Sequence, residues 1–237
     1  VVESGDGGPS LAEGQRQALA LVAESPVCVI TGGPGTGKTT IIRRLVKAWE
    51  GAGRKVTLVA PTGRAAKRLS EATGRPAATV HRMLEWAPKE GFRRRRDNPL
   101  DTNLLVCDEA SMLDLPLARS LANAVPEGAT LLLVGDVDQL PSVGPGRVLA
   151  DVIDSGAVPV ARLSQIFRQA EGSSIVENAH RILAGQLPVG KSRGEEPGDF
   201  YLIESSEPAQ ARDVVVRLLR ERIPQRFGFD PLVDVQV

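Results

Sequence analysis

The chain has 237 residues, of which 42% are hydrophobic, and its 29 basic and 29 acidic residues give a formal net charge of zero. This length and apolar content are enough to bury the core of one or two domains. No apolar run approaches the roughly 18 residues that a membrane-spanning helix needs, so we expect no membrane association. Cys28 and Cys107 lie in apolar runs, which predicts two buried thiols and a reducing, cytoplasmic location.

The charges are unevenly distributed along the chain. Residues 64–96 contain ten Lys or Arg and three acidic residues, whereas residues 97–160 contain two and ten. The basic stretch can hold phosphates and the acidic stretch can hold a metal ion. Two solvated faces of different charge explain the same pattern, so the charge distribution alone leaves both interpretations open.

Short apolar runs alternate with helical patterns from residue 27 to residue 134. We predict buried strands at residues 27–31, 56–60, 104–107 and 130–134, and helices at residues 38–49, 63–72 and 115–124. Continuous apolar strands that alternate with helices are typical of an α/β domain whose parallel sheet is covered by helices on both faces.

Residues 87–100 interrupt this alternation. They are polar, contain Pro and Gly, and carry Arg93, Arg94, Arg95 and Arg96. We expect them to form an insertion that projects from the domain.

The alternation restarts after about Leu163. The predicted elements are a helix ending at Ala184 behind a capping box of Ser174 and Glu177, a strand at 200–203, a helix at 209–223 and a strand from 233 to 237. They predict a second α/β domain that is incomplete in this chain. The predicted segments are therefore a flexible N-terminal stretch at 1–9, a first domain at 10–163 and the truncated start of a second domain at 164–237.

A phosphate-binding motif stands out in the first domain. Residues 32–39 read Gly-Gly-Pro-Gly-Thr-Gly-Lys-Thr, which matches G-x-x-x-x-G-K-[ST] between a predicted strand and a predicted helix. Backbone amides and the helix N-terminus then surround the phosphates, Lys38 reaches the β- and γ-phosphates, and the Thr39 hydroxyl binds Mg²⁺. The predicted ATP-binding residues are Gly33, Pro34, Gly35, Thr36, Gly37, Lys38, Thr39 and Thr40.

Two further strands end in residues suited to ATP hydrolysis. The apolar run at 104–107 is followed by Asp108, predicted to hold Mg²⁺, and by Glu109, predicted to orient and deprotonate the attacking water. The run at 130–134 is followed by Gln139, whose amide can donate to the γ-phosphate and accept from water. Lys38, Glu109 and Gln139 are therefore predicted catalytic residues of a P-loop NTPase.

The order of these motifs resembles that of superfamily 1 helicases, and specifically of the RecD-like branch. The similar segments are LAEGQ at 11–15, GGPGTGKTT at 32–40, APTGRAA at 60–66, TVHRML at 79–84, CDEASM at 107–112, GDVDQLPSVGPG at 135–146 and LSQIFRQ at 163–169. The resemblance implies a RecA-like motor domain and an ATP-dependent DNA helicase that moves 5′ to 3′ on single-stranded DNA.

The resemblance also implies roles for residues that the motifs alone do not explain. Gln15 resembles the glutamine that reads the adenine edge, and Arg168 resembles the arginine that reaches the γ-phosphate from the second domain. DNA contacts are implied for Pro61, Thr62, Gly63, Arg64, Thr79 and His81. The insertion with Arg93, Arg94, Arg95 and Arg96 resembles the pin that splits the duplex at a single-strand/duplex junction.

Other interpretations remain open at this point. The chain can be the helicase domain of a conjugative relaxase, or a nucleotide-controlled binding module without motor activity. An RNA substrate is also open, because no reader of the 2′-hydroxyl is visible. Aromatic residues make up only 3% of the chain, so we expect backbone and phosphate contacts to dominate nucleic-acid binding. The sequence does not identify protein partners.

Overall fold

A computed structural model describes residues 11–165, 173–190 and 198–235. The chain divides into two compact units, with the break between Gly172 and Ser173. The first unit is built on a six-stranded sheet in which every neighbouring pair is parallel. This agrees with the predicted parallel α/β architecture.

The strands of the sheet are β1 (Val27–Gly32), β2 (Val56–Ala60), β3 (Ala77–Thr79), β6 (Leu104–Cys107), β7 (Thr130–Gly135) and β8 (Val160–Leu163), and they lie side by side in the order β3-β2-β6-β7-β1-β8. The helices of this unit are α1 (Glu13–Glu24), α2 (Lys38–Gly51), α3 (Gly63–Thr73), α4 (Val80–Met83), α5 (Leu115–Ala124) and α6 (Val148–Asp154). A short 3₁₀ turn occupies Ala110–Met112.

Apolar side chains cover both faces of the sheet. On one face, Ile41, Ile42 and Leu45 of α2 join residues of α1 and α3 in one buried cluster. On the other face, Leu117 and Leu121 of α5 join residues of α4 and α6 in a second cluster. Helices on both faces leave the ends of the strands as the accessible edges, and ligands of open parallel sheets bind at the carboxyl ends.

The strands and helices predicted between residues 27 and 134 are all present, with ends that differ by no more than two residues. Among the sheet strands and the helices that cover them, five were not predicted: α1, β3, α4, α6 and β8. Strand β3 has only three residues, Ala77–Thr79, too few to show an apolar pattern. Helix α1 begins with a polar turn in which Arg16 pairs with Glu13, and its buried apolar residues follow only after this turn. The helical apolar pattern is therefore short and hard to recognise in the sequence.

Residues 86–98 form a small antiparallel structure of their own. Strands β4 (Trp86–Ala87) and β5 (Gly91–Phe92) pair as a hairpin, with Trp86 opposite Phe92. A bridge between Arg95 and Asn98 closes the turn that follows. The interrupted pattern in the sequence therefore corresponds to a hairpin and a tight turn.

The second unit contains α7 (Ser174–Leu183), α8 (Pro208–Arg217) and α9 (Ile223–Phe227), and a π-helical turn at Leu218–Arg222 joins the last two helices. The predicted helix at 209–223 is thus present. The capping prediction was wrong by one residue, because Ser173 rather than Ser174 accepts the hydrogen bond from Val176 N.

The two strands predicted in the second unit were also wrong within the described residues. Residues 200–203 are irregular, and residues 231–234 form a turn. Tyr201, Leu202 and Ile203 are each about half exposed, at 55%, 48% and 48%. An apolar run forms a strand only when a neighbouring strand satisfies its backbone groups, and no described residue pairs with either segment. Residues 236 and 237 lie outside the described part of the chain.

Among the described helices, none has both the length and the apolar character needed to cross a membrane.

Candidate functional site

The loop between β1 and α2 has the form of a phosphate cradle. Gly35 and Gly37 adopt φ values of 76° and 83°, which glycine reaches without steric cost. The buried Thr36 hydroxyl donates to Gly33 O at 2.8 Å and holds the loop closed. Gly37 lies directly before α2, so the free amides of the first helical turn face the loop.

Lys38 folds back onto this loop. Its Nζ donates to Gly33 O at 3.0 Å and also to Gly32 O. Gly32 is closely packed, since a Cβ there would lie 2.6 Å from Leu163 O and 2.8 Å from Thr36 Oγ1. The ammonium group of Lys38 therefore binds backbone carbonyl oxygens of the loop in which phosphate oxygens are expected. A bound nucleotide would attract this ammonium group away from the carbonyl oxygens.

Asp108 and Glu109 follow β6, at the carboxyl edge of the sheet. Asp108 Oδ1 accepts from Glu109 N at 3.0 Å, and Asp108 N donates to Val59 O at 2.9 Å. Burial raises the pKa of the Asp108 carboxyl to about 6, and the Glu109 charge acts in the same direction. Lys38 partly offsets this effect on the pKa. A buried carboxylate in this setting favours a cation as its neighbour.

Glu109 has φ and ψ values of 53° and 40°, the left-handed region that side chains other than Gly seldom adopt. Such a conformation costs about 1–3 kcal/mol and persists where the surrounding structure imposes it. Here the following turn imposes it, because Met112 N donates to Glu109 O at 3.0 Å. Glu109 therefore holds this strained conformation between the end of β6 and the 3₁₀ turn.

Gln139 follows β7 in a tight turn that depends on Asp136. The Asp136 side chain is buried, and its Oδ1 accepts from Asp138 N at 3.0 Å. Asp136 O accepts from Gln139 N at 3.3 Å. No role was predicted for Asp136, although an aspartate that begins a turn and accepts from the amide two residues on is a known turn signal.

Thr39, Asp108, Glu109 and Gln139 meet in one cavity of about 380 Å³, whereas Lys38 is not among its lining residues. Its lining comes from the start of α2, the ends of β6 and β7, and α3, and it includes Thr39, Asp108, Glu109, Gln139, Arg64 and Arg68. The structure thus brings together the residues predicted for the metal, the base and the γ-phosphate contact. Arg68 was not predicted, because on α3 it resembles any solvated arginine.

Gln15 lies at the start of α1, near the same loop. Its side chain is buried, and Oε1 accepts from Ala12 N at 3.2 Å. Leu163 lies close to both the start of α1 and the start of the loop. A Cβ on Gly14 would lie 4.0 Å from Leu163 Cδ2, and a Cβ on Gly32 would lie 3.0 Å from Leu163 Cβ. The amide nitrogen of Gln15 has no role in this cap. Its contact with adenine stays a prediction, and Arg168 lies outside the described residues.

Two segments predicted to contact DNA lie side by side at the carboxyl edge. Ala60 pairs with Thr79 in the register of β2 and β3, so residues 61–64 and 79–81 leave the sheet together. Both threonine hydroxyls are used locally, since Thr62 Oγ1 accepts from Ala65 N and Thr79 Oγ1 accepts from Arg82 N, each at 3.2 Å. Gly63 and the side chain of Arg64 are exposed beside these two caps.

His81 joins the hairpin in an aromatic cluster. Its ring centroid lies 5.6 Å from that of Phe92 and 6.5 Å from that of Trp86. Trp86 is 51% exposed. The cluster therefore presents an accessible aromatic surface beside the predicted DNA-contacting turn, which the low aromatic content of the sequence had argued against.

The four arginines of the hairpin region differ in their surroundings. Arg93 pairs with Glu90 at 2.9 Å, Arg94 with Glu85 at 2.7 Å and Arg95 with Asp97 at 2.7 Å. Within the described part of the chain, Arg96 has no ion pair. The four arginines were predicted as one DNA-contacting group, but among the described residues three of them have an acidic partner and Arg96 does not.

The fold and the phosphate loop agree with the family comparison. Residues 10–196 match a protein-family model described as an AAA domain. The chain belongs to this AAA domain family. Within the family its relatives are RecD-like, as the motifs indicated.

Two curated relatives show this similarity. The ATP-dependent RecD2 DNA helicase of Deinococcus radiodurans is 46% identical to this chain over 178 residues. These residues cover 75% of this chain and 24% of the relative. The RecBCD enzyme subunit RecD of Mycobacterium tuberculosis is 39% identical over 242 residues, covering 90% of the chain and 42% of the relative. The chain thus spans less than half the length of these relatives.

Solved structures show the same fold. Pif1 from Bacteroides sp, solved in complex with ADP-AlF4, matches the chain with a TM-score of 0.57 at 21% identity. The match covers 91% of this AAA domain chain and 58% of the Pif1 chain.

Proposed function

We propose that this chain is the ATP-binding part of an ATP-dependent DNA helicase that moves 5′ to 3′ on single-stranded DNA and opens single-strand/duplex junctions. The observation that carries the proposal is the cavity in which Thr39, Asp108, Glu109 and Gln139 converge from separate elements. The similarity to RecD2 and RecD supports a helicase rather than a binding module or a relaxase.

The residues fit a bound Mg²⁺ ion. Thr39 and Asp108 offer a hydroxyl and a carboxylate oxygen in the same cavity, and Mg²⁺ prefers oxygen ligands. No group of three or more His, Cys, Asp or Glu side chains able to hold a metal occurs among the described residues. Further ligands would therefore come from the ATP phosphates and water. When bound, the ion neutralises phosphate charge that develops during the reaction.

In the proposed reaction, Lys38 leaves Gly32 O and Gly33 O and binds the phosphates of ATP. Glu109 accepts a proton from a water molecule, whose oxygen forms a bond to the γ-phosphorus. The bond between the γ-phosphorus and the bridging oxygen breaks, and its electron pair stays with ADP. Gln139 orients the water or the γ-phosphate by its amide, and Arg168 is proposed to add positive charge.

DNA is proposed to cross the carboxyl edge formed by residues 61–64 and 79–81. The pairing of Ala60 with Thr79 places these segments together, and the His81, Trp86 and Phe92 rings continue the surface into the hairpin. Exposed aromatic rings stack on bases without regard to sequence. Binding is therefore expected to be largely independent of sequence, and contacts between basic residues and the DNA phosphates make it salt-dependent.

The test compares two lysine variants of the full-length protein in DNA-stimulated ATP hydrolysis and strand-separation assays. Lys38→Ala should abolish both activities, because the phosphates lose their positive partner. Lys55→Ala removes an exposed lysine that pairs with Asp101 before β2, at the opposite edge of the sheet, and should retain both. Strand separation by Lys38→Ala at the normal rate would contradict the proposal.

A further inference from the structure

The cavity extends beyond the groups proposed to cleave ATP. Helix α3 contributes Arg64 and Arg68 to its lining, whereas Thr39 is the only residue of the 32–39 motif among the lining residues. Since the loop that holds the diphosphate is not part of this lining, the cavity offers space next to the γ-phosphate position. Its two arginines make this space suitable for an anion.

The helix that carries the two arginines is held firmly against α2. Leu69 is buried in the cluster that contains Ile41 and Ile42. Arg43 Nε donates to Ala72 O at 2.9 Å, which joins the end of α3 to α2. The cavity wall therefore has a fixed position relative to Thr39, so ligand binding there costs little ordering of the backbone.

The charge of Arg68 is available to a ligand. Arg64 and Arg68 are one helical turn apart, where like charges repel each other unless an anion lies between them. Arg68 makes no ion pair or hydrogen bond with any residue that the structure describes. The charged groups that shift the pKa of Asp108 are Glu109 and Lys38, so Arg68 is not the ionic partner of that acid.

We propose that Arg68, with Arg64 beside it, binds the inorganic phosphate released from ATP before it leaves the protein. This inference rests on the proposed function, since hydrolysis at Glu109 supplies the phosphate. Glu109 and Asp108 line the same cavity as Arg68, so the cleaved phosphate is released into the cavity that Arg68 lines. Arginine binds phosphate through two parallel hydrogen bonds, a geometry that lysine lacks.

The test is calorimetric titration of inorganic phosphate into the full-length protein saturated with Mg-ADP. Arg68→Ala should weaken phosphate binding by roughly tenfold or more, the usual effect of losing a hydrogen bond to a charged group. The phosphate affinity of Arg68→Lys should lie between that of Arg68→Ala and that of the unaltered protein. Lys67→Ala is the matched control, because Lys67 is exposed on the same helix, pairs with Glu71 at 3.9 Å and does not line the cavity. It should bind phosphate normally, and all variants should bind Mg-ADP equally.

Three results would overturn the inference alone. The first is an unchanged affinity for phosphate in Arg68→Ala. The second is a loss in Arg68→Ala that is confined to ATPγS binding, which would place Arg68 on the γ-phosphate before cleavage. The third is displacement of phosphate by a short single-stranded oligonucleotide, which would make a DNA phosphate the ligand. Failure of the unaltered protein to bind Mg-ADP would instead overturn the proposed function, and this inference with it.

Discussion

Glu85 and Arg94 form an ion pair across the base of the hairpin, with 2.7 Å between Arg94 Nη2 and Glu85 Oε1. Glu85 reaches this position with a φ of 54°. Leu84 O accepts from the backbone amides of both Arg93 and Arg94, at 3.1 and 3.2 Å. Arg94 also donates to Pro99 O at 3.3 Å, so it joins both ends of the hairpin region.

The first prediction separates Arg94 from Arg96. Arg94→Ala should lower the free energy of unfolding by about 1 kcal/mol or less, because the pair is partly exposed, and should impair unwinding by loosening the hairpin. Arg96→Ala should leave the melting temperature unchanged. It should reduce the slope of log affinity for forked DNA against log salt concentration by about 1, as expected for one lost phosphate contact.

Thermal unfolding and DNA titrations at several salt concentrations measure both effects. An equal loss of salt dependence in the two variants would mean that Arg94 also contacts the DNA.

The second prediction concerns the loop after Gln139. A Cβ on Gly144 would lie 2.2 Å from Asp114 Oδ2, and Asp114 caps α5 by accepting from Leu117 N at 2.8 Å. Gly144→Ala should therefore displace the cap and lower the free energy of unfolding by about 1–3 kcal/mol. Gly51→Ala is the control, since nothing lies within 4 Å of its Cβ position at the end of α2. It should stabilise the protein by up to about 1 kcal/mol.

Chemical denaturation of the two glycine variants gives both free energies. A Gly144→Ala variant as stable as the unaltered chain would contradict the close packing of Gly144 against Asp114.

The third prediction concerns the thiols. Burial raises the pKa of the Cys28 thiol to about 12, and burial together with the Asp108 charge raises that of Cys107. Neither thiol should react with Ellman's reagent at pH 8 in the folded protein, and both should react after denaturation. The unfolded thiols lose their protons near pH 9.0 while the folded ones keep them, so stability should fall as the pH rises above 9. Rapid reaction of either thiol in the folded state would contradict this account of burial.

The fourth prediction concerns Glu109. Glu109→Gln should bind Mg-ATP with nearly normal affinity and hydrolyse it at least a hundredfold more slowly, since an amide cannot accept the proton of water. Single-turnover hydrolysis with a parallel ATP-binding titration measures both quantities. Asp138→Asn is a matched control, because Asp138 is an exposed acid outside the cavity lining. This variant should hydrolyse ATP normally. Normal turnover by Glu109→Gln would mean that another group is the base.

The sequence predicted the strands that are buried on both faces because their apolar runs are continuous and end in chemically distinctive residues. Phe200 to Ile203 shows the limit of that argument: the run is equally apolar, but its fate depends on a neighbouring strand that local sequence does not reveal. The turn formed by Asp136 and the position of Arg68 in the cavity were missed for a related reason. A buried turn aspartate and a cavity arginine are recognisable only when the elements around them have come together.

The register of β1 has a consequence for how the chain folds. Val27 pairs with Leu131 of β7, and Val29 pairs with Val160 of β8, so both neighbours of β1 come from far along the chain. During synthesis, β1 and the loop that follows it must remain without a sheet until β7 has left the ribosome. Such distant pairings slow folding and prolong the exposure of apolar strand residues. Strand β2 differs, because Leu58 pairs with Ala77 of β3 close by in the chain. The phosphate cradle, which follows β1, is therefore expected to form later than the pairing of β2 with β3.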